Sequence, residues 1–287
     1  MNWRSLRVNG SLRQLGWNTV GLYLDTAASY VFSIIAIPYL VRVLGPVGFG
    51  LVAFAQSFVA YFTTFVDYAS LLGGTRLAAA QRHDPLRLSV LAWNSVFARL
   101  LLAVLALPLI FLLAFFIPSI RDAAPIVAAL SGILLAQALS PTWIFQGLER
   151  MPVLALINLT INVAAIVAIL LLVRGPEDVL TCAFLFAAAP LAASVVGLAW
   201  LMIRTPLHFA RPRPREILQL LRGGFTLSLS TAAITAYTTG NAFLLGLLAD
   251  KETVAYYAAA EKLVRLVVRG IGPITQALFP RMVRAAA

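Results

Sequence analysis

The sequence predicts an all-α polytopic membrane protein. Three observations carry this prediction: a scarcity of charge, a succession of long apolar tracts, and basic residues concentrated in alternate connections. Hydrophobic residues make up 61% of the 287-residue chain, charged residues 11%, and the mean hydropathy is +0.91. Soluble domains hold about half apolar and a quarter charged residues, so a large water-soluble core does not fit. Membrane β-strands would appear as segments of about 10 residues with alternating polarity. The tracts here are longer and do not alternate.

Eight spans are expected, near 15–41, 47–71, 88–117, 124–146, 153–173, 180–203, 221–248 and 254–280. Each approaches or exceeds the roughly 20 residues that cross about 30 Å of hydrocarbon. The first begins SLRQLGWNTVGLYLDTAAS, which lacks a short apolar core followed by a small-residue cleavage site, so it is a retained helix. LGPVG, Leu44 to Gly48, makes the tight turn to the second span. It lacks both GxGxxG and a following Lys-Ser/Thr, so it is no phosphate loop. In WIFQGLERM, Gly147 ends the fourth span and leaves Glu149 and Arg150 in a short connection. Pro38, Pro108, Gly132 and Pro273 permit bends within spans. YTTGN, Tyr237 to Asn241, breaks or lines a helix. Cys182 is the only cysteine, which excludes an internal disulfide and a cysteine metal site.

The strongly polar segment RTPLHFARPRPREILQLLRG runs from Arg204 to Gly223. Pro206, Pro212 and Pro214 oppose a helix until about Arg215, after which a short interfacial turn leads into the next span. The organisation read from this is a six-helix lobe over 1–203, a basic linker over 204–220, and the first two helices of a second lobe over 221–287. A shift of 205 positions lays YYAAAEKLV over LVAFAQSFV, matching Ala53, Ala55 and Val59 to Ala258, Ala260 and Val264, with Gln56 over Glu261. Six preceding helices make this a parallel repeat about an axis along the membrane normal. The second lobe is then incomplete, and four or more further helices are expected in the parent protein.

The formal charge of +11 is chiefly a topology signal. Fourteen basic residues fall in connections on the N-terminal side, among them Arg76, Arg82, Arg87, Arg150, Arg211 and Arg213, against four on the other: Arg42, Arg121, Arg174 and Lys251. The positive-inside rule places the N-terminus in the cytoplasm. The remaining four lie within spans. Of these, Lys262, Arg265 and Arg269 in EKLVRLVVRG share one helical face through i, i+3, i+7 spacing. Glu261 partly offsets Arg265. An arginine at the centre of a membrane helix costs about 2.5 to 3.5 kcal/mol, so this face should border a hydrated cavity. Arg99, Asp25, Gln56 and Asn241 are further polar groups in or near apolar tracts, as are Asn18, Asn158 and Asn162. Asp25 and Arg99 either pair structurally or each line the cavity. The basic face favours an anion, whether soluble, a phospholipid headgroup or a lipid-linked pyrophosphate. His83 and His208 stand alone, and the sequence holds neither a triad nor a metal-ligand cluster, so an enzyme is not expected.

RVLGPVGFGLVAFAQSFVAYF with VDYA, WIFQGLERM, LLRGGFTLSLSTAAITAYTTGNAFLLG, and YYAAAEKLVRLV with GPITQALFPR together resemble the oligosaccharide-flippase branch of polysaccharide biosynthesis proteins. That branch belongs to the multidrug/oligosaccharidyl-lipid/polysaccharide exporter superfamily. The resemblance implies a bacterial inner-membrane transporter with the two-lobe exporter architecture, carrying polyprenyl-pyrophosphate-linked oligosaccharide to the periplasmic leaflet by alternating access. It implies a cationic cavity at Lys262, Arg265 and Arg269, with Arg99. It implies no cofactor, and permits proton or sodium antiport or a contribution from the membrane potential, with Asp25 or Glu261 as the groups that would titrate. Partners would be membrane lipids, the lipid-linked oligosaccharide, a glycan polymerase and a chain-length regulator, with no nucleic acid. The alternatives are a multidrug or small-molecule exporter using Tyr23, Phe54 and Trp93, and a nontransporting scaffold of a glycan-assembly complex.

Overall fold

The computed structural model describes residues 3–67 and 74–264, with side chains from residue 34 onward together with Val20, Leu24 and Phe32, apart from 224–227, 236, 237 and 239. Every element in it is helical. Helix α1 (Trp3–Asp67) is two helices joined at Gly45, whose φ of 70° and ψ of 170° interrupt the helical backbone. Glycine takes this conformation without a Cβ penalty, and Pro46 follows as the first residue of the next helix. The short α2 (Thr75–Ala80) precedes α3 (Pro85–Phe116), whose start is fixed by the Asp84 side chain accepting from the Arg87 amide at 3.1 Å and by Pro85 in the first turn. After α4 (Pro118–Arg121), the tract Ala124–Gly147 is broken into α5 (Ala124–Leu130), α6 (Gly132–Leu139) and α7 (Thr142–Gly147).

α7 closes with Glu149 at φ 56°, and the Arg150 amide donates back to the Phe145 carbonyl at 2.8 Å. This left-handed cap satisfies carbonyls at the helix end. α8 (Met151–Leu172) and α9 (Val179–Arg204) are joined by a turn in which Asp178 accepts from the amides of Arg174 and Gly175. α10 (Pro214–Thr239) and α11 (Asn241–Leu248) meet at Gly240. A last helix, α12, runs over 251–264.

Five helices among the described residues are long and apolar enough to cross a membrane: Ile34–Asp67, Pro85–Phe116, Ala124–Gly147, Met151–Leu172 and Pro176–Arg204. The bent α10 makes a sixth if counted as one span. Of the eight expected spans, five or six are thus found among the described residues. The difference lies at the chain's ends, where most side chains of 15–41 and everything beyond 264 fall outside the described residues. The expected span 221–248 is also divided at Gly240, and helix begins at Pro214, inside the expected linker.

The core is formed where α1 packs on α8 and α9 packs on α6. The Tyr39 hydroxyl donates to the Val173 carbonyl at 2.8 Å, and Ser194 donates to the Ala136 carbonyl at 2.8 Å. Leu40, Phe54, Ile110, Leu130, Leu134 and Ile169 are buried between these helices. A second cluster gathers Trp143, Ile144 and Phe145 against Ala78, Leu88 and Leu201. Outward, α3 presents Leu105, Phe111, Phe115 and Phe116, all exposed. Such a continuous apolar exterior suits acyl chains rather than water.

Candidate functional site

Lys262, on α12, points its ammonium toward α1. Its Nζ donates to Gln56 Oε1 at 3.1 Å and lies 5.4 Å and 5.9 Å from the ring centroids of Phe49 and Phe186. An amide oxygen and two aromatic faces supply favourable electrostatics for a cation removed from bulk water. Glu261 is half-buried beside it. The rest of the expected basic face, Arg265 and Arg269, lies outside the described residues, as does the side chain of Asp25. Asn241 is exposed at the first residue of α11.

The approach of α12 to α1 depends on a glycine. A Cβ on Gly50 would sit 1.8 Å from the Lys251 carbonyl oxygen and 3.4 Å from Ala255 Cβ. Nearby, Phe243 of α11 stacks on Phe54 and Phe58 at 5.5 and 5.2 Å, and Lys251 Nζ stands 3.9 Å over the Phe54 ring. Gly50 with Ala255, and Gln56 with Lys262, are pairs 205 and 206 residues apart. The partners advance in the same direction along both helices, so α12 and the second half of α1 run parallel.

Arg99 is placed elsewhere. It is 2% exposed on α3, where Nη1 donates to the carbonyls of Gln137 and Ser140, both at 3.0 Å. These carbonyls are freed where α6 ends, so the guanidinium caps a helix C-terminus inside the bundle. Gln137 in turn donates to Asp67 at 2.8 Å, and the Asp67 carboxylate acts electrostatically on Arg99. Gln56 and Asp67 mark the levels of the two basic groups on α1, and the intervening eleven residues rise about 16 Å. Lys262 and Gln56 are therefore brought together, while Arg99 stands at another depth.

At Arg99's depth a cavity of about 1100 Å³ opens between α2, α3, α7 and α10. Arg76, Arg87, Arg99 and Arg213 line it, with Glu216 as the carboxylate among its lining residues. Asn94, omitted by the sequence reading, is 1% exposed in its wall. Its amide donates to Glu216 at 2.7 Å and its carbonyl oxygen accepts from the Arg213 backbone at 2.9 Å. Arg213 also pairs with Glu216 at 2.8 Å. Further along the linker, Ser89 accepts from the His208 amide at 3.0 Å and Trp93 donates to the His208 carbonyl at 3.1 Å. The Arg-Pro segment is thereby strapped to α3. The available signal was an asparagine five residues from both Ser89 and Arg99 on one helix, but its partner is 122 residues distant.

The profile of the family described as "Polysaccharide biosynthesis protein" matches residues 15–286. The chain belongs to this family. It is 27% identical over 275 residues to a putative O-antigen transporter of Escherichia coli strain K12, covering 96% of this chain and 66% of that protein. It is 28% identical over 266 residues to a putative O-antigen transporter of Shigella dysenteriae, covering 92% and 66%. The chain thus spans about two thirds of the length of these curated relatives. No solved structure matches it. Among the described residues there is no group of three or more His, Cys, Asp or Glu able to hold a metal ion. This family member is a multi-pass membrane protein, similar over most of its own length to those two relatives.

Proposed function

We propose that this protein translocates a lipid-linked, pyrophosphate-bearing oligosaccharide from the cytoplasmic to the periplasmic leaflet of a bacterial inner membrane, without enzymatic chemistry. The observation that carries the reading is Lys262, a cation on α12 that bonds Gln56 of α1. Lys262, Arg265 and Arg269 hold the anionic head in a hydrated path while the polyprenyl tail stays in lipid. Support for a parallel two-lobe exporter comes from the pairing of Gly50 with Ala255 and Gln56 with Lys262. Elements that contact their own repeat equivalents lie beside the axis relating the repeats, as in an isologous interface. The lobes are then 1–203 and 221 onward, with 204–220 as a cytoplasmic linker and the N-terminus inside. Rocking of the lobes exchanges the open side. Asp25 or Glu261 couples the cycle to protons or sodium, and a glycan polymerase and chain-length regulator act on the delivered product.

The test uses the full-length gene in a flippase-deficient bacterium, with lipid-linked oligosaccharide reaching the periplasmic leaflet as the readout. Wild type restores delivery, and a correctly inserted Lys262→Gln/Arg265→Gln/Arg269→Gln variant loses at least tenfold. Unchanged delivery by that variant would remove the basic face from the mechanism.

A further inference from the structure

The Arg-Pro linker is tied to α3 at a definite depth. Its anchors there are Ser89 and Trp93, which hold the His208 backbone, and Asn94, which holds the Arg213 amide and Glu216. All three anchors lie in the first three turns of a membrane span. α3 has 32 residues and is about 48 Å long, so about 9 Å of it projects from each side of a hydrocarbon layer about 30 Å thick. Residues 208–213 therefore run beside the outer turns of a span, at the level of lipid headgroups.

What the strap leaves exposed is basic and apolar. Arg204, Arg211, Arg215 and Arg222 are exposed and form no ion pair among the described residues. Glu216, the one acid between 204 and 222, is already engaged by Arg213 and Asn94. Phe209 meets the Trp93 ring edge to face at 4.8 Å and is still 60% exposed. On α10, Arg215, Leu218 and Arg222 share one face through i, i+3, i+7 spacing, and Leu218 is also exposed. Unpaired arginines interleaved with large apolar side chains, at headgroup depth, complement an anionic bilayer surface: the cations meet phosphate and the apolar groups meet the acyl boundary. A soluble polyanion or an acidic protein would satisfy the charge and leave Phe209 and Leu218 in water.

We propose that the linker and the first two turns of α10 form a docking surface for anionic phospholipid of the adjoining leaflet. Arg211, Arg215 and Arg222 hold headgroup phosphates, while Phe209 and Leu218 enter the boundary of the acyl chains. The linker is then clamped between α3 on one side and lipid on the other, and the position of α10 depends on the lipid as well as on Asn94. A basic segment that served only to set topology would show no preference among lipids, because the positive-inside effect acts during insertion. Selectivity for anionic lipid in the folded protein separates the two.

The experiment places the full-length protein in vesicles of phosphatidylcholine alone and of phosphatidylcholine mixed with phosphatidylglycerol. Amide hydrogen exchange over 205–213 in wild type should be at least threefold slower in the mixed vesicles. Arg211→Gln/Arg215→Gln/Arg222→Gln should abolish that difference, and the control Arg174→Gln, exposed beyond the end of α8, should keep it. A second measurement is local: Phe209 is replaced by p-benzoylphenylalanine, irradiated in the mixed vesicles, and the adducts are weighed. Phosphatidylglycerol adducts enriched at least threefold over the bilayer composition are expected. Equal exchange in the two vesicles, lipid adducts in the bulk ratio, or adducts to protein alone would each overturn the proposal, the last by placing a partner protein on this surface. If loss of three arginines inverts the chain, the wild-type comparison and the cross-link decide without that variant. Oligosaccharide delivery is not a readout here, so this surface and the Lys262 reading stand or fall separately.

Discussion

Asn94 shows how much one buried amide can organise. Its two polar atoms hold the Glu216 side chain and the Arg213 backbone, fixing the end of the linker against α3. Replacing it by alanine leaves both partners without their bond, at a cost of about 1 to 3 kcal/mol for such groups. Asn94→Ala is therefore expected to leave insertion unchanged but to speed protease cleavage within 205–213 severalfold, as measured by timed digestion from the linker side. Asp250 works at the opposite end of the bundle. Its carboxylate accepts from the Thr253 amide at 2.7 Å and starts α12. Hydrogen bonds from Thr253 hold its pKa below the usual carboxylate value. A lowered folded-state pKa gives stability that is present above the unfolded value, near 3.9, and is lost as pH falls through the folded value. Hydrogen-exchange protection over 251–254 should accordingly drop at acid pH in wild type and show a flatter profile in Asp250→Ala.

At the scale of elements, helix packing rests on small residues at the crossings. A side chain on Gly50 has backbone in its way, since the obstacle is the Lys251 carbonyl oxygen. Gly50→Leu must push α12 away from α1, and overpacking of this kind costs about 1 to 3 kcal/mol. A cross-link between cysteines placed at 56 and 262, made in a Cys182→Ala background, should form readily in the parent and at least fivefold more slowly with Gly50→Leu. Gly147 plays the same part between α7 and α2, where a Cβ would lie 2.5 Å from Ala78 Cβ and 3.0 Å from the Ala79 nitrogen. Gly147→Val should lower the melting temperature by several degrees in a detergent thermal-shift assay. The breaks also belong to this scale. Ser140 and Pro141 end α6, and the carbonyls released there are those that Arg99 caps.

For the whole molecule, the basic residues and the cavity agree on an axis. Arg76, Arg87 and Arg213 gather at one end of the bundle, while Gly50, Phe54, Phe243 and Lys251 close against one another toward the other. The cavity thus lies beside the linker, and the Gly45 turn lies toward the opposite end. With the positive-inside orientation, a single cysteine at His208 should react with a membrane-impermeant maleimide only in inverted vesicles, and one at Arg174 only in intact cells. The reverse labelling pattern would invert the proposed direction of transport.

The sequence by itself determined the class of the molecule, most helix limits, the turn at Gly45, the ends of α7 and α10, and the charge asymmetry. These follow from local hydropathy, from proline and glycine backbone preferences, and from where bases are sparse or dense. It also pointed to Lys262, because a charge in an apolar helix is conspicuous in one dimension. Only the tertiary structure decided which polar groups meet. Lys262 reaches Gln56 across 206 residues, Asn94 reaches Glu216 across 122, and Arg99 separates from the Lys262 face to cap α6. Such pairs depend on helix register and on the depth at which each helix breaks. The indole N–H of Trp143, without a hydrogen-bond partner among the described residues, is buried only through the packing of α7 against α2 and α3.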